Sequence, residues 1–126
     1  MTTFRELGVL DATADALEAA GIIEAFPIQE QTLPLALAGT DLIGQAKTGT
    51  GKTLGFGIPL LQRITAPADA GGGQTTKPQA LVIVPTRELC VQVAKDLELA
   101  GARRNVRVLA VYGGRAYEPQ VAALSA

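Results

Sequence analysis

The fold is decided by residues 41–53, which read DLIGQAKTGTGKT. The first five of them are short and apolar enough for a strand, and the Gly- and Thr-rich run 46–53 follows at once. Apolar residues then recur between 54 and 64 and predict a buried helix, which tertiary packing has to hold because the segment contains Gly55, Gly57 and Pro59. A strand, a Gly-rich loop and a helix in this order indicate a phosphate-binding loop.

This loop carries the residue types that hold the phosphates of a nucleotide. Gly49 and Gly51 lack side chains, so backbone N–H groups can wrap phosphate oxygens, and the following helix adds its positive end. Lys52 is expected to reach the β- and γ-phosphates, and the Thr53 hydroxyl is expected to ligate Mg²⁺. The general pattern has Gly where this chain has Ala46, so a strict match fails at one residue. The alternative is a flexible Gly-Thr turn with a solvated lysine.

Helices and strands alternate along the rest of the chain. Helical spacing of apolar residues predicts helices over 7–21 and 28–39, and strands are predicted at 80–84 and 106–111, each followed by a helix. This order predicts an α/β fold with a parallel sheet, in which 80–84 is buried on both faces. Residues 65–78 have a composition that predicts a flexible surface loop rather than a domain boundary.

Length and composition favour one domain over residues 1–126, near the common domain size of about 100–150 residues. No apolar run approaches the roughly 20 residues of a membrane span, and the N-terminus does not resemble a signal peptide, so we expect a cytoplasmic protein without a membrane partner. A single cysteine, Cys90, and no histidine exclude an internal disulfide and the usual zinc sites. Cys90 is expected to be a small core residue.

The net charge of −1 argues against a protein that binds nucleic acid through bulk positive charge. The charge is unevenly distributed, because residues 1–46 carry one Arg against seven acids, for −6, and residues 47–126 carry ten bases against five acids, for +5. A phosphate-rich partner is therefore expected to meet the later part. The basic cluster of Arg103, Arg104 and Arg107 is interpreted as a solvated surface.

The form of the phosphate-binding loop carries a family resemblance. Residues 46–53 read Ala-x-Thr-Gly-x-Gly-Lys-Thr, and with Ala in the first place this loop is similar to that of bacterial-type DEAD-box RNA helicases. The resemblance implies the N-terminal part of a RecA-like ATP-binding domain, a parallel-sheet P-loop NTPase fold, with ATP and Mg²⁺ as cofactors. It assigns Lys52 and Thr53 to catalysis and these residues to ATP: Ala46, Thr48, Gly49, Thr50, Gly51, Lys52 and Thr53.

Upstream, residues 21–29 read GIIEAFPIQ and resemble the Q motif of the same family, within a Q-motif region at 1–40. The resemblance implies that the Gln29 amide, with one donor and one acceptor, recognises the amine and N7 of adenine. Phe4 lies 17 residues before Gly21, where the family has an aromatic residue that stacks on the base. Ile22 and Ala25 depart from the family pattern. Without the resemblance, Gln29 would simply begin a helix and Phe4 would fill the core.

Downstream, Pro85-Thr86-Arg87-Glu88-Leu89 matches the family's motif Ia. Local structure explains most of it, since Pro85 ends a strand, Thr86 caps a helix and Glu88 suits the first turn. The resemblance implies that Pro85, Thr86 and Arg87 hold the sugar-phosphate backbone of RNA without sequence preference. Gly113 and Gly114 look like the family's paired-glycine RNA contact, although such a pair is otherwise read as a turn. Arg115 is a weaker candidate for a phosphate contact.

Hydrolysis by this class also needs an acid at the end of a buried strand, and the strands predicted at 80–84 and 106–111 end without one. The resemblance implies that the missing acids, and a second RecA-like domain as partner, lie beyond Ala126. We therefore expect a fragment that does not hydrolyse ATP alone. We expect a monomer, but a sheet cut in its middle exposes an unpaired edge, which predicts marginal stability or self-association of the isolated segment.

Two other classes of protein remain open from the residues. A small-molecule P-loop kinase would use the same loop but would leave Gln29 and the segment 85–89 without a task. A non-catalytic nucleotide-binding module would be consistent with the missing acid.

Overall fold

The computed structural model describes residues 2–47, 51–65, 78–114 and 116–125. Within these residues the chain is mainly helical. Two short 3₁₀ turns lie at Arg5–Leu7 and Ala102–Arg104. The α-helices are α1 (Asp11–Ala19), α2 (Pro27–Leu37), α3 (Lys52–Arg63), α4 (Arg87–Ala100) and α5 (Tyr117–Ser125).

Helix α3, which follows the phosphate-binding loop, lies at the centre of the core. It packs against α2 on one side and α4 on the other, and α1 packs against α4. Its buried side chains, Ile58 and Leu61, join Leu17, Leu33 and Leu97 in one hydrophobic cluster. Burial of such side chains stabilises the fold by roughly 1.5–3 kcal/mol each, so packing holds a helix that propensity alone would not.

The glycine within α3 has a packing reason. A Cβ built on Gly57 would lie 2.8 Å from Cδ2 of Leu97, which is too close for a real contact. Gly57 therefore lets α3 and α4 approach each other closely, and the helix predicted from the apolar pattern is confirmed together with the tertiary packing that it requires.

The segments predicted as strands differ from expectation. None of 41–45, 80–84 and 106–111 forms a strand among the described residues, where the one β-bridge pairs Thr3 with Glu24. Val82 and Val84 pack against the helical cluster, while Leu81 and Ile83 are 82% and 84% exposed. The prediction of burial on both faces is therefore wrong here. An apolar run shows how hydrophobic a segment is, but it does not provide the layer that covers its second face.

The ends of the predicted loop 65–78 meet. Residues 66–77 lie outside the described residues, but Gln79 on the far side is joined to Thr65 by two hydrogen bonds. Its Oε1 accepts from Thr65 N at 2.8 Å and its Nε2 donates to Thr65 O at 2.9 Å. Among the described residues, no helix has the length and apolar character needed to cross a membrane.

Candidate nucleotide site and candidate RNA-contact turn

Gln29 connects the start of α2 with the start of α3. Its side chain is only 2% exposed. Oε1 accepts a hydrogen bond from Phe26 N at 2.8 Å, and Nε2 donates to Gly51 O at 3.0 Å. One N–H and one lone pair of the amide are left over. The structure therefore brings the predicted base-reading residue into contact with the last residue before Lys52.

Gly51 is closely surrounded at this corner. Its φ of +83° lies in the left-handed region that favours glycine. A Cβ on Gly51 would collide with Nε2 of Gln29 and would lie 2.7 Å from Cδ2 of Phe26. Both the backbone conformation and the neighbouring side chains thus require glycine at position 51. This packing requirement is separate from the one predicted from the sequence, that a residue without a side chain lets backbone N–H groups approach phosphate.

Lys52 is the first residue of α3, and its side chain reaches back to the residue that begins the loop. Its Nζ donates to the carbonyl oxygen of Ala46 at 2.6 Å, so the two ends of the phosphate-binding loop are held together. Thr53 is half-buried beside it. The first N–H groups of a helix have no partner within the helix and carry its positive end, so α3 directs an anion-attracting end towards the loop. Thr48, Gly49 and Thr50 lie outside the described residues.

Phe4 lies away from solvent. It is 2% exposed and belongs to the hydrophobic cluster with Leu17 and Leu33. This position agrees with the alternative interpretation, in which Phe4 fills the core. Phe26, by contrast, is 51% exposed and lies beside Gly51.

Arg87 and the paired glycines, which are far apart in the sequence, lie together at the other candidate site. Nη1 of Arg87 approaches Gly113 O at 3.5 Å, and a Cβ on Gly114, where φ is +82°, would collide with the same nitrogen. Arg87 is exposed, and it lines an open groove of about 620 Å³ with Glu88, Val91 and Tyr112. Because Gly113 and Gly114 have no side chains, they leave room for the Arg87 guanidinium at this turn.

The residues before Arg87 behave as local structure predicts. Thr86 is the N-cap of α4, and its Oγ1 accepts a hydrogen bond from Leu89 N at 3.2 Å. Glu88 lies in the first turn, where the helix dipole favours a negative charge. Pro85 is exposed. Arg115 lies outside the described residues.

Arg104 is a residue whose role the sequence interpretation missed. It is 5% exposed, and its guanidinium donates to the carbonyl oxygens of Leu61 and, at 3.1 Å, Ile64. The predicted solvated surface is therefore wrong for Arg104, while its neighbour Arg103 is exposed. No charge pattern distinguishes the two, because which of them faces α3 is set by the turn at 102–104. Cys90, expected in the core, is partly buried.

The described residues contain no group of three or more acidic or cysteine side chains arranged to hold a metal ion. Mg²⁺ keeps several waters and is commonly bound by one or two carboxylates together with nucleotide phosphates. The hydroxyl of Thr53 fits that manner of binding as a single protein ligand.

A lysine that begins a buried helix directly after a Gly-rich loop is the arrangement typical of P-loop proteins. The chain belongs to the DEAD/DEAH box helicase family, whose profile matches residues 26–126. It is 47% identical over 124 residues to the DEAD-box ATP-dependent RNA helicase CshA of Bacillus cereus (strain ATCC 10987 / NRS 248), a match that covers 98% of this chain and 22% of that protein. The chain thus spans about a fifth of the length of the curated relative.

Solved structures agree with the family. The RNA-helicase Prp28 from Chaetomium thermophilum bound to ADP is similar with a TM-score of 0.85 and 34% identity, over 99% of this chain and 30% of that one. A DEAD box protein from Methanococcus jannaschii gives a TM-score of 0.78 and 31% identity, over 99% and 32%. The predicted RecA-like fold therefore fits, although the described residues show its helices and no paired strands.

Proposed function

We propose that this chain binds ATP and the RNA backbone as part of an ATP-dependent RNA helicase. The observation that supports the proposal best is the bridge from Gln29 to Gly51, because it joins a residue suited to reading adenine to the loop suited to holding phosphates. In this proposal the loop 46–53 cradles the phosphates, Lys52 neutralises their charge, and Thr53 contributes to Mg²⁺ binding. The left-over N–H and lone pair of Gln29 recognise the adenine edge.

RNA is proposed to bind at the turn formed by Pro85, Thr86, Arg87, Gly113 and Gly114. The guanidinium lies beside Gly113 and Gly114, which have no side chains to block the approach of a phosphate from that side. The N-terminus of α4 adds a second attraction for a phosphate. Contacts of this type do not distinguish bases, which predicts binding without sequence preference.

Hydrolysis and RNA unwinding are proposed for the whole protein, by analogy with its much longer relatives. The described residues hold a nucleotide and present it, while the acid that positions water is expected from the remainder, as is a second RecA-like partner domain. The proposed location is the cytoplasm. No observation favours the small-molecule kinase or the non-catalytic module.

The proposal is tested by measuring ATP, GTP and RNA affinities of the full-length protein. Gln29→Ala is expected to remove a roughly tenfold preference for ATP over GTP, because about two hydrogen bonds to adenine are lost. Gln31→Ala, at an exposed position of the same helix, is the matched control and should retain the preference. Lys52→Ala should lower the affinities for ATP and for GTP by the same factor, because the lysine is proposed to contact the phosphates and not the base.

In the same experiment, Arg87→Ala should weaken RNA binding equally for all sequences and reduce the slope of log affinity against log salt by about 1. Arg103→Ala, which removes an exposed arginine elsewhere, should change RNA affinity much less. Equal affinity of the unmodified protein for ATP and GTP would contradict the nucleotide part. A loss confined to one RNA sequence would contradict the RNA part.

A further inference from the structure

Gln120 is a buried polar residue near the start of α5. It is 8% exposed, although Tyr117 and Val121 on the same helix are 74% and 41% exposed. Burial of an amide costs free energy unless its polar atoms find hydrogen-bond partners. The partners of Gln120 therefore show what its burial achieves.

Both partners of Gln120 are backbone groups that flank the paired glycines. Its Oε1 accepts a hydrogen bond from Tyr112 N at 3.0 Å, on the residue before Gly113. Its Nε2 donates to Ala116 O at 3.1 Å, on the residue before α5. One side-chain amide thus joins the two ends of the segment that contains the glycines. Glycine loses more conformational freedom on ordering than other residues, so this segment needs such a restraint to keep one conformation.

The turn that Gln120 restrains is also the one beside which Arg87 lies. Nη1 of Arg87 approaches Gly113 O at 3.5 Å, and a Cβ on Gly114 would collide with this nitrogen. A shift of the turn would move the Gly113 carbonyl, which is the partner of the guanidinium. Gln120 on α5 and Arg87 on α4 therefore act on the same short stretch of backbone.

Gln62 on α3 forms a bridge of the same kind elsewhere in the chain. Its Oε1 accepts from Leu10 N and its Nε2 donates to Gly8 O, both at 3.1 Å. This amide joins two backbone groups of the segment before α1 instead of the glycine turn. Gln62 therefore provides a matched control for the loss of an amide bridge.

We propose that Gln120 is a positioning residue for RNA binding, which holds the turn at Gly113 and Gly114 in the conformation that places Arg87 for contact with a phosphate. The inference rests on the proposed RNA binding at this turn. Gln120 carries no charge and does not itself contact the RNA. It reduces the ordering that RNA would otherwise impose on the two glycines, and preorganisation of this kind raises affinity without a new contact.

The test compares Gln120→Met with the unmodified full-length protein. Methionine keeps a long unbranched side chain and removes both hydrogen bonds. RNA affinity is expected to fall roughly threefold to tenfold for all sequences alike, while ATP affinity measured without RNA should not change. The slope of log affinity against log salt should fall towards that of Arg87→Ala, although no charge has been removed. Gln62→Met should leave RNA affinity unchanged.

A double-mutant cycle separates positioning from a general loss of stability. If Gln120 acts through the turn, Gln120→Met combined with Arg87→Ala should weaken RNA binding little more than Arg87→Ala alone, whereas independent effects would multiply. Thermal melting identifies a temperature at which all the variants are folded. Losses that multiply would overturn the proposal.

A second measurement uses the unmodified full-length protein. Coupling between two binding events is reciprocal, so bound RNA should slow hydrogen exchange at the Tyr112 amide, which donates to Gln120. The Leu10 amide, which donates to Gln62, should exchange at the same rate with and without RNA. Equal exchange of the Tyr112 amide in both states would overturn the proposal even if Gln120→Met did not fold.

The outcomes distinguish this inference from the proposed function. If Arg87→Ala weakens RNA binding but folded Gln120→Met binds RNA as the unmodified protein does, the positioning role is overturned while RNA binding at the turn stands. If Arg87→Ala leaves RNA affinity intact, the proposed RNA site fails and the positioning role fails with it. A loss of RNA affinity in Gln120→Met that spares ATP and does not multiply with that of Arg87→Ala supports the proposal.

Discussion

At the residue scale, two glycines with the same backbone conformation have different surroundings. Gly21 and Gly51 both have a φ of +83°, but a Cβ on Gly21 meets nothing within 4 Å, whereas one on Gly51 would collide with Gln29 and approach Phe26. The pair separates the effect of backbone strain from the effect of crowding at the nucleotide site.

We predict that Gly21→Ala lowers the free energy of unfolding by about 1–2 kcal/mol, the ordinary strain of a left-handed residue, and leaves ATP affinity unchanged. Gly51→Ala has the same strain and also displaces the Gln29 amide, so it should lower stability further and weaken ATP binding. Denaturant unfolding and nucleotide titration of both variants measure these effects. Equal results for the two would show that the corner around Gly51 is not crowded as described.

Single residues also show how far sequence reasoning reaches. The cap formed by Thr86 follows from hydrogen-bonding chemistry that acts within three residues, and it is confirmed. The interaction of Arg104 with α3 joins residues about 40 positions apart, and no local pattern specifies it. The exposure of Phe26 is of the same kind, since it depends on how α2 meets the loop. The predicted roles of Gln29, Lys52 and Arg87 remain predictions that agree with their positions.

At the scale of elements, the two ends of α3 are held by different means. Lys52 at its start donates to Ala46 O, and at its end the last carbonyl groups are bonded by Arg104 from the turn after α4. Carbonyl groups at a helix C-terminus have no partner within the helix, and a cation there also interacts favourably with the dipole. Arg104 therefore fixes the far end of the helix that begins at the phosphate site.

Arg104→Ala is predicted to lower the free energy of unfolding by about 2–4 kcal/mol, because it removes hydrogen bonds from a charged group to one buried and one partly buried carbonyl oxygen. Arg103→Ala, at the adjacent exposed position, should change it by less than about 0.5 kcal/mol. Urea unfolding of the two variants under identical conditions gives the comparison. A stability loss of similar size for both would mean that Arg104 acts through charge alone.

The elements also differ in how well they could be predicted. Helices α3 and α4 follow from apolar residues repeating at helical spacing, and their buried stripes agree with that pattern. The segments at 80–84 and 106–111 have the composition of strands and pack one face on the core. Strand pairing is a property of two segments together, so composition alone does not establish it.

At the scale of the whole molecule, several apolar side chains in the segments predicted as strands are exposed. Leu81 and Ile83 face solvent, and Ile43, Leu109 and Val111 are further exposed apolar residues in the segments predicted as strands. Large exposed apolar patches favour association. A polypeptide of residues 1–126 studied alone should therefore self-associate, as the unpaired edge predicted from the sequence also suggests.

The double substitution Leu81→Ser and Ile83→Ser is predicted to shift an isolated polypeptide of residues 1–126 towards the monomer. It removes two exposed apolar side chains and leaves Val82 and Val84 packed against the core. Sedimentation velocity over a range of concentrations measures the change. The double substitution Val82→Ser and Val84→Ser is the contrasting control, which should reduce stability instead. If the double substitution Leu81→Ser and Ile83→Ser left self-association unchanged, these two side chains would not form the contact between copies.

The pair of hydrogen bonds between Gln79 and Thr65 has a practical consequence for protein engineering. Two hydrogen bonds hold these residues side by side, although 14 positions separate them in the sequence. In general, doubling the length of a flexible loop whose two ends are fixed raises the free energy of loop closure by only about 0.6 kcal/mol. A peptide tag or fluorophore acceptor inserted between them should consequently be carried without disturbing the helices.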